Sequence, residues 1–154
     1  MRPAPAEDGT PGRGCEAGRG GASLPRMPLH VSLLYGGLTA LLVTILGMNV
    51  SRLRGRHGAG LGAPIPPELL RPHRAHGNAT EWTPLWLALL VALEMSGRVS
   101  DLWLHLFGGV FFFARVLHAG GLLGRNKASV AGAALTYLVL LAMGARAVLL
   151  GLGK

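Results

Sequence analysis

Four polar residues, Arg71, Arg74, Asn78 and Glu81, are spaced three, four and three apart in the stretch RPHRAHGNATEWTP, just ahead of the apolar run LWLALLVAL. At about 100° per residue they fall within roughly an 80° arc of one helix face. His73, His76 and Glu94 point elsewhere on that helix. The stripe carries donors and one carboxylate, and it is too rich for a single internal ion pair. Such groups are costly beside lipid, so a membrane helix that carries them aims them at a partner or a ligand. A zwitterionic or anionic small molecule fits the stripe. A salt-bridge network between packed helices, with Arg71 reaching out to the interface, fits it as well.

A second pair lies in FFFARVLH, where Arg115 and His118 share a face three residues apart. Arg52 follows the first apolar run. Together the three segments bring charge to one layer. His73 and His76 form an H-x-x-H, but with this spacing and no third ligand no zinc site is expected. Asn78-Ala79-Thr80 is formally a glycosylation sequon, here placed on a helix on the cytoplasmic side. Trp82, Trp86 and Trp103 read as interfacial anchors or packing groups. Neither a phosphate-binding loop nor a nucleophile elbow is present.

These residues must be positioned by membrane helices. Half of the 154 residues are hydrophobic and only 14% are charged. The mean hydropathy is +0.41. That balance suits a small integral membrane protein better than a water-soluble domain. The net charge of +8 comes largely from residues between apolar runs, without interleaved aromatics, so nucleic-acid binding is not expected. The single cysteine, Cys15, excludes an intrachain disulfide and a cysteine-based metal site.

Residues 1–27 are rich in Gly, Pro, Ala and Arg and cannot offset their ordering entropy by burial, which predicts a disordered tail. The stretch lacks the apolar core of a signal peptide. Met27, at its junction with the first apolar run, is a candidate start of translation. Residues 28–154 form the folded domain. Its first span is 29–50, about 22 residues, enough at a rise of 1.5 Å to cross roughly 30 Å of hydrocarbon. SRLRGRHGAGLGAPIPP reads as a loop. A second helix runs from Pro67 or Glu68 to about Met95, with a kink or a freed carbonyl expected at Pro84. After the turn at 96–101 come spans at 102–123 and 129–152. Small residues in the last one, such as Gly132 and Gly144, favour close helix approach. The expected architecture is an all-α, four-helix transmembrane bundle with both termini on one side. Arg52, Arg54, Arg56, Arg71, Arg74, Arg125 and Lys127 outweigh Arg98, Lys154 and the diluted tail arginines, which places both termini outside the cytoplasm.

The chain resembles the membrane-associated proteins in eicosanoid and glutathione metabolism, the MAPEG family. The likeness rests on SRLR at 51–54, RAHGNATEWTP at 74–84 and RVLH at 115–118, and it is nearest to short bacterial members. It implies a homotrimer in a bacterial inner membrane, with glutathione as cosubstrate bound between subunits near the cytoplasmic face. It implies that Arg52 and Arg74 face glutathione carboxylates, that Asn78 adds a hydrogen bond, that Glu81 receives the amino group, and that His118 lines the site. Two arginines and one carboxylate mirror the two carboxylates and one ammonium of glutathione, and Arg binds carboxylates bidentately.

The sequence departs from the family's characterised enzymes. Gly77 and Leu122 stand where prostaglandin E synthase has an arginine and a tyrosine, and the Arg-Ser pair that opens the fourth helix is missing. A thiol needs a nearby cation or donor to become a thiolate. The candidates here are Lys127, Ser129 and Arg115. The reading is thus a glutathione-binding membrane protein, with transferase or peroxidase chemistry on small lipophilic electrophiles that enter from the bilayer. The alternative is a non-catalytic trimer whose polar cluster serves assembly.

Overall fold

The computed structural model describes residues 29–59, 62 and 64–154. The expectations for the tail, for Cys15 and for Met27 lie outside those residues. Among the described residues four helices follow one another: α1 His30–Arg56, α2 Pro67–Met95, α3 Asp101–Gly124 and α4 Ala128–Gly151. The architecture is all-α, as the apolar runs require.

The first helix is longer than its apolar run. The segment from Ser51, expected to be loop, continues as helix through Arg56. Arg and Leu are good helix formers, and an arginine's head can stay in the polar layer while its stem covers apolar surface. The helix ends where Gly58 takes φ +60. That turn lets the Ala59 amide reach the Arg54 carbonyl at 3.1 Å and the Gly58 amide reach Gly55. The bonds satisfy carbonyls that a helix end otherwise orphans.

Helix α2 runs without interruption through Pro72 and Pro84. Pro84 has no amide to offer the Thr80 carbonyl. Nearby, the Thr80 and Thr83 hydroxyls donate to carbonyls one turn back, Thr80 to Gly77 at 2.8 Å and Thr83 to Ala79 at 2.6 Å.

α1, α3 and α4 are each long and apolar enough to cross a membrane, whereas α2 is too polar in its first half. Leu33, Leu41, Ile45 and Met48 on α1 lie exposed, as do Leu138, Leu141 and Val148 on α4. In a chain this apolar such a surface suits lipid rather than water. Consecutive helices pack antiparallel, α2 and α3 both touch three neighbours, and α1 and α4 do not meet. The main core joins Val31, Trp86, Leu90, Leu104, Phe107, Phe111 and Met143 near the α2–α3 turn. A smaller cluster of Leu46, Ala75, Ala79 and Ala119 fills the other end. Small side chains there bring α1, α2 and α3 close beneath the polar stripe. The three tryptophans divide as packing and edge groups: Trp86 is fully buried and stacked on Phe111 at 4.2 Å, Trp82 meets Tyr137 edge-on, and Trp103 is exposed.

Candidate functional site

The polar stripe of α2 lies at the end of the bundle formed by the α1–α2 and α3–α4 connections. Its helix is anchored by Ala75 and Ala79, which are buried on the face next to the stripe. Arg74 and Glu81 are exposed, and Asn78 is half-buried. Among the described residues neither Arg74 nor Glu81 has an ion-pair partner, whereas His30 lies within ion-pair distance of Glu94 and Asp101. Two turns of helix separate the two charges, so they cannot neutralise each other along α2. The Asn78 side-chain amide donates to the Arg74 carbonyl at 3.0 Å. Its oxygen keeps its accepting capacity. Arg71 reaches the Leu122 carbonyl on α3 at 3.5 Å.

Arg115 is placed differently from the stripe. It is 2% exposed. Its guanidinium donates to the Asn78 carbonyl of α2 at 3.5 Å, to the Gly132 carbonyl of α4 at 3.4 Å and to the Thr136 hydroxyl. It also lies over the Phe111 ring at 5.7 Å. The planar five-donor head of Arg allows this three-way tie. Arg115 therefore holds the backbone beneath Asn78 rather than facing the open side of the stripe.

His118 and Ser129 come together because α3 and α4 cross on glycine. A Cβ at Gly132 would lie 2.6 Å from the Ala114 carbonyl oxygen, and one at Gly121 would collide with the Ser129 backbone. This contact seats the His118 Nδ1 at 2.7 Å from the Ser129 carbonyl. The Nε2 of His118 is buried without a hydrogen-bond partner among the described residues. The Ser129 hydroxyl donates to the Asn126 carbonyl at 3.2 Å. Lys127 is exposed at the head of α4. Arg52 is exposed and hydrogen-bonds Asn49 at 3.0 Å, on its own helix. The structure thus gathers Asn78, Arg115, His118 and Ser129 across three helices. Arg52, Arg74, Glu81 and Lys127 remain on the surface of the chain.

Two residues carry roles that their spacing hid. His76 packs against α1 where Gly47 leaves room; a Cβ at Gly47 would lie 3.1 Å from the ring. No three His, Cys, Asp or Glu residues gather as metal ligands among the described residues. Glu94 is buried at the far end of α2, where its carboxylate accepts the Val31 amide at 2.9 Å and the Ser32 amide at 2.8 Å. Helix α1 has no acidic residue in its first turn and no side-chain cap of its own. Glu94 supplies that cap from a neighbouring helix, and anionic charge suits a helix N-terminus.

The sequence pattern of the MAPEG family matches residues 32–149. The chain is also similar to the inner membrane protein YecN of Escherichia coli strain K12, at 36% identity over 92 residues, which are 59% of this chain and 69% of that protein. The same protein from Escherichia coli O6:H1 strain CFT073 aligns equally, at 36% identity over 92 residues.

Proposed function

The chain belongs to the MAPEG family, and on that premise we propose that it binds glutathione at the polar stripe of α2, between subunits of a homotrimer. One observation carries the reading. Arg74 and Glu81 stand exposed, with no ion-pair partner among the described residues, on one face of a helix in a membrane protein, with the polar Asn78 between them. Charged side chains at such a level demand compensation from outside the subunit. Glutathione offers complementary charge to both, its carboxylates to Arg74 and Arg52 and its ammonium to Glu81. Asn78 adds a hydrogen bond. Arg115 positions Asn78 from beneath, and His118 lines the α3 side.

The thiol is then the nucleophile toward a small lipophilic electrophile that arrives through the bilayer. The thiol first loses its proton to solvent at the polar face, its thiolate sulfur then bonds to the electrophilic carbon, and the leaving group departs as an anion with the bonding pair. Lys127 is the exposed cation among the three candidates for stabilising the thiolate. Arg115 is enclosed, and the Ser129 hydroxyl is engaged with Asn126. The basic connections support an orientation with the stripe at the cytoplasmic face of an inner membrane, four crossings and both termini outside.

Calorimetry on the detergent-purified protein tests the reading. Glutathione should bind in the millimolar range or tighter. Glu81→Gln and Arg74→Ala should each weaken binding about tenfold or more, as expected for losing a charge-assisted contact. Lys127→Ala should keep binding and lose turnover of a small aryl halide. No binding to the wild-type protein at millimolar glutathione overturns the proposal. Loss of the trimer in Arg74→Ala without any effect of glutathione would assign the stripe to assembly instead.

A further inference from the structure

At the end of the bundle opposite the polar stripe, the α2–α3 turn and the last turns of α4 enclose a pocket of about 390 Å³, lined by Arg98, Val99, Ser100, Trp103, Phe107, Ala142 and Arg146. Two cations share its mouth. Arg98 donates through one nitrogen to the Leu150 carbonyl at 3.3 Å, and Arg146 donates through one nitrogen to the Arg98 carbonyl at 3.0 Å. These bonds fix both side chains and occupy only part of each five-donor head. No carboxylate lines the pocket. The nearest acid in sequence, Asp101, lies with His30 of α1 at 3.9 Å.

The rest of the lining is apolar. Phe107 forms the inner wall and belongs to the main core, Ala142 leaves space on α4, and Trp103 stands exposed at the rim. The pocket therefore has a cationic mouth where the apolar helices end and an apolar wall that continues along α3 and α4 into the span. An anion on an apolar chain has that profile, and arginine suits a phosphate oxygen pair. Two guanidinium groups held side by side offer the oxygens of an acidic headgroup paired charge-assisted donors.

We infer that Arg98 and Arg146 form a binding site for one anionic phospholipid per subunit, with the phosphate between the two guanidinium groups and an acyl chain against Phe107 and Ala142. The site is independent of the stripe on α2.

Native mass spectrometry of the protein in neutral detergent tests this with phosphatidylglycerol and phosphatidylcholine of the same acyl chains. One phosphatidylglycerol per subunit should be retained, about tenfold more strongly than phosphatidylcholine, as the loss of a charge-assisted contact predicts. Arg98→Gln with Arg146→Gln should abolish the difference. Ala142→Phe, which fills the pocket and keeps both arginines, should do the same in a protein whose bundle is intact. Arg56→Ala, at the other end of the molecule, should leave the preference unchanged. Equal retention of the two lipids overturns the inference, and so does a preference that survives Ala142→Phe. Displacement of the lipid by an equal concentration of inorganic phosphate would make the site one for the free ion and overturn it equally.

Discussion

Glu94 and Arg115 are the buried charged residues among the described ones, and they act mainly through backbone rather than through each other. Glu94 closes the N-terminus of α1, accepting two amides that would otherwise lack partners. Hydrogen bonds to a charged acceptor are each worth about 1.5–3 kcal/mol, and a cap is worth about 1 kcal/mol. Glu94→Ala removes both acceptors and should destabilise the protein by about 2–3 kcal/mol, the range for a buried charge-assisted contact. Glu94→Gln keeps one carbonyl oxygen and should cost less. Hydrogen exchange at Val31 and Ser32 reads the effect directly. Fast exchange confined to the first turn of α1 is the expected result, and unchanged protection there would sink the capping role. The sequence places Glu94 on α2 and says nothing of this contact, because a cap supplied by another helix has no spacing signature. Arg74, Asn78 and Glu81 are legible as one face, since i, i+4, i+7 spacing is a property of one helix. That Arg115 lies beneath Asn78 is a matter of packing, and no motif encodes it.

At the scale of helices, hydropathy locates α1, α3 and α4 while the Pro67–Glu68 start signal locates α2, and hydropathy errs where bilayer and helix do not end together. The apolar run of α1 stops at Val50, yet the helix continues through Arg56 because arginine is compatible with helix and only the surroundings change. Gly58 is the true stop, and a glycine after a basic last turn is a stop signal already present in the sequence. Of the small residues of α4 expected to favour close approach, Gly132 does so against α3, whereas Gly144 has nothing within 4 Å of a Cβ and Ala131, Ala134, Ala142 and Ala145 are exposed. Gly132→Ala forces a methyl group onto the α3 backbone at His118 and Ala114. The helices must separate, which breaks the seat of Arg115 on the Gly132 carbonyl and of His118 on Ser129. Overpacking of this kind costs about 1–3 kcal/mol. The expected result is a lowered Tm in detergent, together with weaker glutathione binding than the wild type shows. Gly144→Ala serves as the control, because nothing lies within 4 Å of a Cβ there. A Gly132→Ala protein with wild-type Tm would show that α3 and α4 do not depend on this contact.

At the scale of the molecule, the basic residues among the described ones concentrate at the end that carries the stripe. Arg52, Arg54, Arg56, Arg71, Arg74, Arg125 and Lys127 sit at or beyond the connections there, and Arg98, Arg146 and Lys154 at the other. Short connections rich in Lys and Arg are retained in the cytoplasm, which orients the proposed four crossings with the C-terminus outside. The two proposed sites then face different compartments: the stripe meets a cytosolic thiol, and the pocket of Arg98 and Arg146 meets the outer leaflet. A membrane-impermeant maleimide distinguishes the orientations in intact spheroplasts. In a Cys15→Ser background, Lys154→Cys should label from outside, and Arg125→Cys should label only after the membrane is opened. The reverse pattern would place the stripe outside the cytoplasm, where the bilayer-side supply of electrophile could persist but a cytosolic thiol would not reach it. It would remove the charge argument for orientation and, with it, the reason to expect glutathione at Arg74 and Glu81 in the living cell, even if both residues bind it in detergent.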